Sequence, residues 1–250
     1  MRKFMLISQH LNSYRRAILS LPKHKAWRKE ELLTDDLLMA RSGKLEVYYA
    51  PHNEYFNPLA KIMIIGLTPG FAQMRIAIQA VKAALEKGLS DEEACRQAKE
   101  KARFAGSMRS NLMDMLDAIN LHKYLNISSS SELFHAQQSL LHTTSMLRFP
   151  VFLNKKNYSG AHPGLMSSQM LKKAALAYVE EEIQLTNAAL IIPLGKTVES
   201  ALNILIKEGK LDENRCLWGF PHPSGANGHR HKQFALHKER MRNKLTEIQW

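Results

Sequence analysis

Cysteine is scarce in this sequence. Its 250 residues include only Cys95 and Cys216, which lie far apart and form no CxxC pair. Two cysteines exclude a disulfide framework and any zinc or iron–sulfur site built from four cysteines, and they suit a reducing compartment. Long apolar runs are missing too: no stretch is long enough to span a bilayer, and the first residues lack the apolar core of a secretory signal. We therefore expect a cytoplasmic protein without a membrane partner.

Acidic residues are few compared with basic ones. Lysine and arginine number 35 against 23 aspartates and glutamates, which gives a net charge of +12 and an isoelectric point near 9.7. A chain this basic favours a polyanionic partner, with nucleic acid first and a membrane surface second. The alternative is a basic surface that binds no polyanion.

The remaining composition is that of an ordinary globular protein, with 45% hydrophobic and 23% charged residues. Apolar runs predict buried strands at residues 61–67, 188–194 and 215–221, and residues 139–147 predict a fourth strand. Helical patterns alternate with these strands, and Ser90 is placed to cap one of the helices. This alternation predicts an α/β fold: a three-layer α/β/α sandwich with a central four-stranded, mainly parallel sheet.

The expected domain organisation is simple. We find no internal repeat and no linker, so we expect residues 1–250 to form a single domain. Apolar spacing within residues 4–22 predicts an amphipathic helix, and residues 45–51 predict a short edge strand that ends at proline. We expect residues 1–50 to be an N-terminal helical extension. Residues 151–164 mix basic and aromatic side chains and indicate a long loop.

Turns rich in Gly, Pro, His and hydroxyl residues follow the predicted strands. They are Gly66–Gly70, Ser145–Arg148, Leu194–Lys196 and His222–Arg230. Ligands of open α/β sheets bind at the carboxyl ends of the strands, so we expect these turns to form a binding site. In the last turn Pro223 restricts His222 to an extended backbone, and Ser224 with the backbone of Gly225 is suited to bind phosphate. The alternative is an ordinary surface loop.

Other motifs fit recognised sites less well. Leu194–Thr197 imitates the end of a P-loop, but Leu190 stands where the earlier glycine belongs. Asp114 and Asp117 share a helix face, which is more typical of a solvated or capped pair than of a catalytic one. Four histidines cluster without the cysteine or carboxylate partners of a known metal site: His222, His229, His231 and His237. We expect no metal and no cofactor.

With Gly66-Leu-Thr-Pro-Gly70 after the first core strand and His222-Pro-Ser224 after the last, the chain resembles the uracil-DNA glycosylase superfamily. The resemblance covers residues 55–245. At the position of Gly70 the strict uracil enzymes have a Tyr that blocks substituents at pyrimidine C5. A glycine there makes the chain similar to the mismatch and modified-base branches. The resemblance implies a monomer that binds double-stranded DNA, flips a nucleotide out of the helix and hydrolyses its N-glycosidic bond.

The resemblance also implies roles for individual residues. Thr68 stands where the family positions or activates water, usually with Asp or Asn, and Phe71 is the candidate for stacking on the flipped base. Ser145 stands where an Asn reads the uracil edge, and His222 stabilises the negative charge of the departing base. Candidates for contact with DNA phosphates and backbone are Ser224, Gly225, Asn227, His229, Arg230, Lys196, Lys155 and Lys156.

Departures from the family pattern shape the predicted function. Thr68 cannot serve as a carboxylate base, and Ser145 is too short to hold uracil as Asn does. Because Gly70 and Ser145 enlarge the same pocket, we predict a monofunctional DNA glycosylase that excises a bulky 5-substituted pyrimidine rather than plain uracil. Base excision or defence against modified viral DNA is the expected setting. The alternatives are a catalytically silent DNA-binding protein on the same fold and a protein that handles RNA or nucleotides.

Overall fold

The computed structural model describes residues 5–23 and 26–250. Contacts divide the chain into two compact units, each built from three segments. The first unit comprises Met1–Phe56, Thr68–Ala105 and Leu147–Ala175, and the second comprises Asn57–Leu67, Gly106–Met146 and Leu176–Trp250. Residues 1–4 and 24–25 of the predicted helical extension lie outside the described residues. The single domain expected from the sequence stays a prediction.

Nine strands and nine α-helices lie within the described residues. The strands are β1 (Met5–Leu6), β2 (Leu38–Ser42), β3 (Leu45–Tyr48), β4 (Tyr55–Phe56), β5 (Ile62–Gly66), β6 (Leu141–Ser145), β7 (Val151–Leu153), β8 (Lys156–Asn157) and β9 (Leu190–Pro193). The helices are α1 (His10–Ser20), α2 (Lys29–Leu32), α3 (Phe71–Glu86), α4 (Asp91–Ala102), α5 (Ser107–Ala118), α6 (Leu121–Tyr124), α7 (Gln169–Leu185), α8 (Lys196–Lys207) and α9 (Arg230–Glu247). None of these helices combines the length and apolarity needed to cross a bilayer.

The second unit contains a parallel sheet in the order β6–β5–β9. Every residue of β5 is buried, as expected of a strand that is covered on both faces. Ile62 of β5 pairs in parallel with Leu141 of β6 and with Leu190 of β9. A parallel sheet whose strands are joined by helices confirms the predicted α/β class.

Where the sequence predicts a fourth strand of this sheet, the structure has one isolated β-bridge. Cys216 pairs in parallel with Ile191 of β9. The backbone then turns at Gly219, which has a φ of +89° and donates its N–H to the Glu199 carboxylate over 2.6 Å. Because the turn directs this N–H away from the sheet, the strand predicted at residues 215–221 does not extend. The predicted four-stranded sheet is therefore three strands and a bridge.

The first unit contains an antiparallel sheet in the order β2–β3–β7–β8. Leu45 and Val47 of β3 pair with Leu153 and Val151 of β7. This pairing corrects the prediction that residues 1–50 form a helical extension, because β2 and β3 join a sheet while only α1 and α2 are helical. It also replaces part of the long loop predicted for residues 151–164. Strands of two or three residues are too short to show a period in the sequence.

The β7–β8 hairpin closes through the two-residue turn Asn154-Lys155. Both residues have positive φ, 50° and 60°, which is the requirement of a type I′ turn. Asn adopts this conformation readily, whereas a lysine does so only when other contacts hold it. The turn fixes the register that pairs Phe152 with Asn157.

The buried carboxylate of Glu54 joins α1 to the rest of the first unit. The Ser8 hydroxyl and the His10 N–H each donate to Glu54 Oε2 over 2.7 Å, and the Leu11 N–H donates to Oε1 over 3.1 Å. The Tyr49 hydroxyl also donates to Oε1. His10 and Leu11 begin α1, where backbone N–H groups have no partner within the helix. Glu54 therefore caps α1 from a distant part of the chain.

We expect Glu54→Ala to lower the free energy of unfolding by about 3 kcal/mol, because it leaves buried donors without an acceptor. Urea unfolding of the purified variant and the parent measures this difference. Glu30→Ala removes an exposed carboxylate from α2 and is the control, with an expected change below about 0.5 kcal/mol. A Glu54→Ala protein as stable as the parent would contradict the capping role.

Candidate active site

The carboxyl ends of the three parallel strands lie at one edge of the sheet in the second unit. Gly66 of β5 stands opposite Ser145 of β6, and Ile65 stands opposite Pro193 of β9. The Leu194 N–H extends the ladder by donating to the Ile65 carbonyl over 2.9 Å. This edge therefore carries the buried Ser145 and the segment that follows Pro193.

The His222 segment reaches this edge through Gly195. The Gly195 N–H donates to the Phe220 carbonyl over 2.9 Å. Gly195 has a φ of +86°, and a Cβ built on it would lie 3.5 Å from the Cβ of His222. A larger residue here would strain the backbone, so glycine permits the close approach of the two segments.

The imidazole of His222 is held in one tautomer. The Ser224 N–H donates to His222 Nδ1 over 3.2 Å, so Nδ1 is an acceptor and the proton of the neutral ring sits on Nε2. Burial lowers the pKa of His222 below the ordinary histidine value of 6.5. No hydrogen-bond partner of Nε2 occurs among the described residues. His222 is therefore a neutral ring with an N–H donor free for a ligand.

Hydrogen bonds within the chain shape the loop after His222. The Asn227 amide donates to the His222 carbonyl over 3.2 Å, and the Arg230 guanidinium donates to the Ser224 carbonyl over 3.0 Å. The Asn111 amide donates to the carbonyl of Pro223, which lies between His222 and Ser224, over 2.8 Å. Asn227 and Arg230 are predicted DNA contacts, and here their side chains hold the loop in shape.

The other DNA-contact candidates of the second unit leave groups available for a ligand. Lys196, Gly225 and His229 are exposed. Lys196 is the first residue of α8, and no partner of its ammonium group occurs in the described part of the chain. The Ser224 hydroxyl accepts from the Ala226 N–H over 3.2 Å and keeps its own proton for donation. Phosphate contact by these residues stays a prediction.

Thr68, predicted to position water, is engaged by backbone groups of the first unit. Its hydroxyl donates to the Phe149 carbonyl over 3.1 Å and accepts from the Val151 N–H over 3.1 Å. A hydroxyl has one proton, and here that proton is used in the bond to Phe149. Thr68 thus tethers the segment that enters β7. This geometry supports a structural role for Thr68 over the predicted catalytic one.

The space beside Gly70 is filled by Asn157 of β8. A Cβ built on Gly70 would lie 3.3 Å from Asn157 Nδ2, which is a tight contact. The Phe71 N–H donates to Asn157 Oδ1 over 3.0 Å, at the first turn of α3. The sequence predicts that Gly70 opens room for a substituent at pyrimidine C5. Asn157, a side chain from another element, narrows that room, and the enlarged pocket stays a prediction.

Phe71, the predicted stacking residue, lies beside Lys29 of α2. The Lys29 ammonium is 5.8 Å from the centre of the Phe71 ring and donates to the Lys155 carbonyl over 3.1 Å. Lys29 therefore connects the turn of the β7–β8 hairpin to the ring through a hydrogen bond and a cation–π contact. Lys29 and Asn157 are not among the site residues that the sequence predicts. Both residues reach Phe71 from distant segments of the chain, so the sequence alone gives no sign of these contacts.

Lys155 is held by its neighbours in the first unit. Its ammonium lies 2.9 Å from Glu46 Oε2, donates to the Leu33 carbonyl over 3.3 Å and bonds the Tyr48 hydroxyl. Burial acts to lower the pKa of Lys155, but the hydrogen bonds to Tyr48 and Glu46 outweigh it and raise the pKa. These bonds hold Lys155 in its left-handed turn conformation. They also leave it poorly suited to the predicted DNA contact.

Lys156, the next residue, is exposed in β8. No partner of its ammonium group occurs in residues 5–23 and 26–250. The two adjacent lysines, both predicted DNA contacts, therefore differ: Lys155 closes the hairpin, and Lys156 is available to a polyanion.

A cavity of about 590 Å³ in the second unit lies away from these residues. Its lining comprises Thr186–Ala189, Asp212, Asn214, Arg215 and Glu247–Gln249. It lies at the amino end of β9, and the Arg215 guanidinium there donates to the Ala188 carbonyl over 2.7 Å. None of the predicted site residues contributes to it. Among the described residues, no group of three or more His, Cys, Asp or Glu side chains is arranged to hold a metal ion.

Comparison with known proteins bears on these features. Residues 54–246 match the uracil DNA glycosylase superfamily. The chain is also similar to an uncharacterized protein, YoxB, of Bacillus subtilis (strain 168), with 42% identity over 221 residues. The alignment covers 88% of this chain and 86% of that protein. All the site residues predicted from the sequence lie inside the matched range.

Lys155 and Lys156 offer a matched pair of variants. We expect Lys156→Ala to reduce the slope of log K against log salt for duplex DNA binding by about 0.9, the value for one lost phosphate contact. Lys155→Ala should leave this slope unchanged and lower stability instead, because it removes the bonds to Glu46 and Tyr48. Salt titrations by fluorescence anisotropy and urea unfolding measure the two effects. Equal slopes for both variants would contradict the distinction.

Proposed function

Because the chain belongs to the uracil DNA glycosylase superfamily, we propose that it is a monofunctional DNA glycosylase. It flips a base out of double-stranded DNA and hydrolyses the N-glycosidic bond of that nucleotide. The base departs as an anion, so the reaction requires a hydrogen-bond donor that is already in place where the negative charge develops. The observation that carries the proposal is the fixed, neutral tautomer of His222, whose Nε2–H supplies this donor.

His222 does not act as an acid in the proposed reaction. When the bond between C1′ and the base nitrogen breaks, both electrons remain with the base, and the Nε2–H of His222 stabilises the resulting anion without transferring its proton. Water then adds to the sugar cation at C1′ and gives a proton to solvent, and the base takes a proton from solvent. The buried ring favours the neutral form that this role requires.

The water that attacks C1′ does not have to be deprotonated by a strong base in this mechanism. The sugar carries positive charge before water adds, so the oxygen of neutral water can attack C1′, and its proton is lost after the new bond forms. Thr68, whose proton is engaged by Phe149, is compatible with such a reaction. With Thr68 in place of a carboxylate, we expect slower turnover, because no charged group orients the water.

The substrate base that we propose is a modified pyrimidine. Ser145 is shorter than the Asn that reads plain uracil in the family, so this position would hold plain uracil less firmly. Gly70 lacks the side chain that blocks C5 in the strict uracil enzymes, which supports a bulky 5-substituent, and Asn157 narrows the adjoining space. Defence against modified viral DNA is the setting we propose, in a cytoplasmic monomer.

A catalytically silent DNA-binding protein is the second candidate. The observation that favours it is the engagement of the Thr68 hydroxyl by Phe149 and Val151, which leaves no base at the position where the family usually has one. This candidate binds DNA through exposed lysines such as Lys156 and Lys196, and it predicts binding that weakens steeply with salt.

The first test is formation of abasic sites by the purified protein. Duplexes carry uracil, mismatched thymine or 5-substituted pyrimidines, and the product is measured by alkaline cleavage of the labelled strand. We expect His222→Ala to lower single-turnover excision about 100- to 1000-fold, the usual loss for one preorganised donor. His135→Ala, which removes an exposed histidine of the second unit, is the control and should retain the parent rate.

Each outcome of this test separates the candidates. Excision that His222→Ala abolishes supports the glycosylase. Duplex binding without product from any base, equal in parent and His222→Ala, supports the silent DNA-binding protein and overturns the proposal. Preference for single strands or free nucleosides points to the handling of RNA or nucleotides.

The pH dependence of excision provides an independent test of His222. The active ring is neutral, and burial lowers its pKa below 6.5. We therefore expect the single-turnover rate to stay level as the pH falls from 8 through 6.5 and to decline only below that, when the ring gains a proton. A rate that rises as the pH falls through 6.5 would show that a protonated group is the active one.

A further inference from the structure

Asn157 places an unengaged amide beside Gly70 and Phe71 in the first unit. The Phe71 N–H is a donor, so the atom of the Asn157 side chain that faces it at 3.0 Å is the carbonyl Oδ1. This assignment puts Nδ2 on the side of Gly70, 3.3 Å from the position that a Cβ there would take. No hydrogen-bond partner of Nδ2 occurs within the described residues, and the side chain is exposed.

The position of this amide is fixed by the elements around it. Asn157 pairs with Phe152 of β7, and the type I′ turn at Asn154-Lys155 sets that register. Lys155 is itself held by Glu46 and Tyr48, so the turn is anchored to β3. The backbone of Asn157 is thereby fixed, and the bond from the Phe71 N–H to Oδ1 orients its amide, which lowers the entropy cost of using it for recognition.

The surroundings of Asn157 suit a planar heteroaromatic ligand. A flipped base is recognised by stacking on aromatic side chains and by hydrogen bonds to its polar edge. The Phe71 ring and the Asn157 amide provide these two kinds of contact at adjacent places, since the amide binds the backbone N–H of Phe71 itself. Because Oδ1 is engaged there, Nδ2 is the atom left to contact a ligand, and it only donates.

We propose that Asn157 is a specificity-determining residue of this protein, which donates from Nδ2 to a carbonyl oxygen on the flipped base. The proposal rests on the function proposed above and names the substrate class: a base with a carbonyl at the recognised edge, as in uracil or thymine and their 5-substituted forms. A base with an amino group there, as in cytosine, presents a donor to a donor.

A purely structural role is the competing explanation, because Oδ1 also satisfies a backbone N–H at the start of α3. The variants Asn157→Asp and Asn157→Ala separate the two roles. Aspartate keeps an acceptor for the Phe71 N–H and replaces the Nδ2 donor with an acceptor of the same shape. Alanine removes both groups. Asn157→Asp should therefore keep the melting temperature of the parent within a few degrees while its base preference changes.

Binding to uncleavable duplexes is the test. Each duplex carries one mismatched 2′-fluoro nucleotide, with either a uracil or a cytosine base of the same 5-substituent, and affinity is measured by anisotropy. We expect the parent to prefer the uracil form about 10- to 100-fold, the usual discrimination by base-edge contacts. Asn157→Asp should prefer the cytosine form, whose amino group its carboxylate accepts. Lys156→Ala is the control, and it should weaken both duplexes equally.

The outcomes are distinct from those of the abasic-site test, because no bond is broken. A parent that binds with this preference but excises nothing would refute the glycosylase and retain the role of Asn157. An unchanged preference in Asn157→Asp would overturn the proposal, as would a parent that binds both duplexes equally. Loss of stability in Asn157→Ala with unchanged base preference would show that the residue only caps α3.

Discussion

The parallel pairing of β5 with β6 and β9 is the constraint on which the candidate site depends. Parallel strands continue from the same edge of a sheet, and here the register sets Gly66 opposite Ser145 and Ile65 opposite Pro193. A slip of one residue would exchange the side chains on the two buried faces of β5, so the packing on both faces opposes it. The site is thus placed by the packing of residues that take no part in its chemistry.

Hydrogen bonds within the chain decide which polar groups remain for a ligand. Thr68, Lys155 and Arg230 look like functional residues in the sequence, yet each is engaged by neighbouring protein groups. The Nε2 of His222 and the Nδ2 of Asn157 have no such partners among the described residues. Burying a polar group without a partner is costly, so the unengaged Nε2 donor of the largely buried His222 is better evidence of function than residue type alone.

The sequence was sufficient for the features that depend on local pattern. The buried run of β5, the helix capped by Ser90 and the turn at His222 follow from apolar length, capping chemistry and the conformational limits of proline. The antiparallel sheet of the first unit was not predictable in this way, because β7 and β8 are too short for a periodic signal and pair with a strand from a distant segment.

The role of Gly70 shows why a missing side chain is hard to interpret from sequence. A glycine in place of a large residue predicts an enlarged pocket, but that conclusion assumes that no other segment enters the space. Asn157 enters it, and the contact depends on a hairpin turn whose key residues are an asparagine and a lysine rather than a glycine. Volume at a position is therefore a property of the fold, whereas the sequence specifies only which atoms are absent.

The chemistry and the stability of the site favour the same state of His222. A buried imidazolium without a carboxylate partner is costly, and burial lowers the pKa of this ring for that reason. A positive ring would stabilise a departing anion more strongly, but it would also oppose the positive charge that develops on the sugar. A neutral donor fixed by the Ser224 N–H avoids both costs. The proposed reaction therefore depends on the orientation of this donor more than on charge.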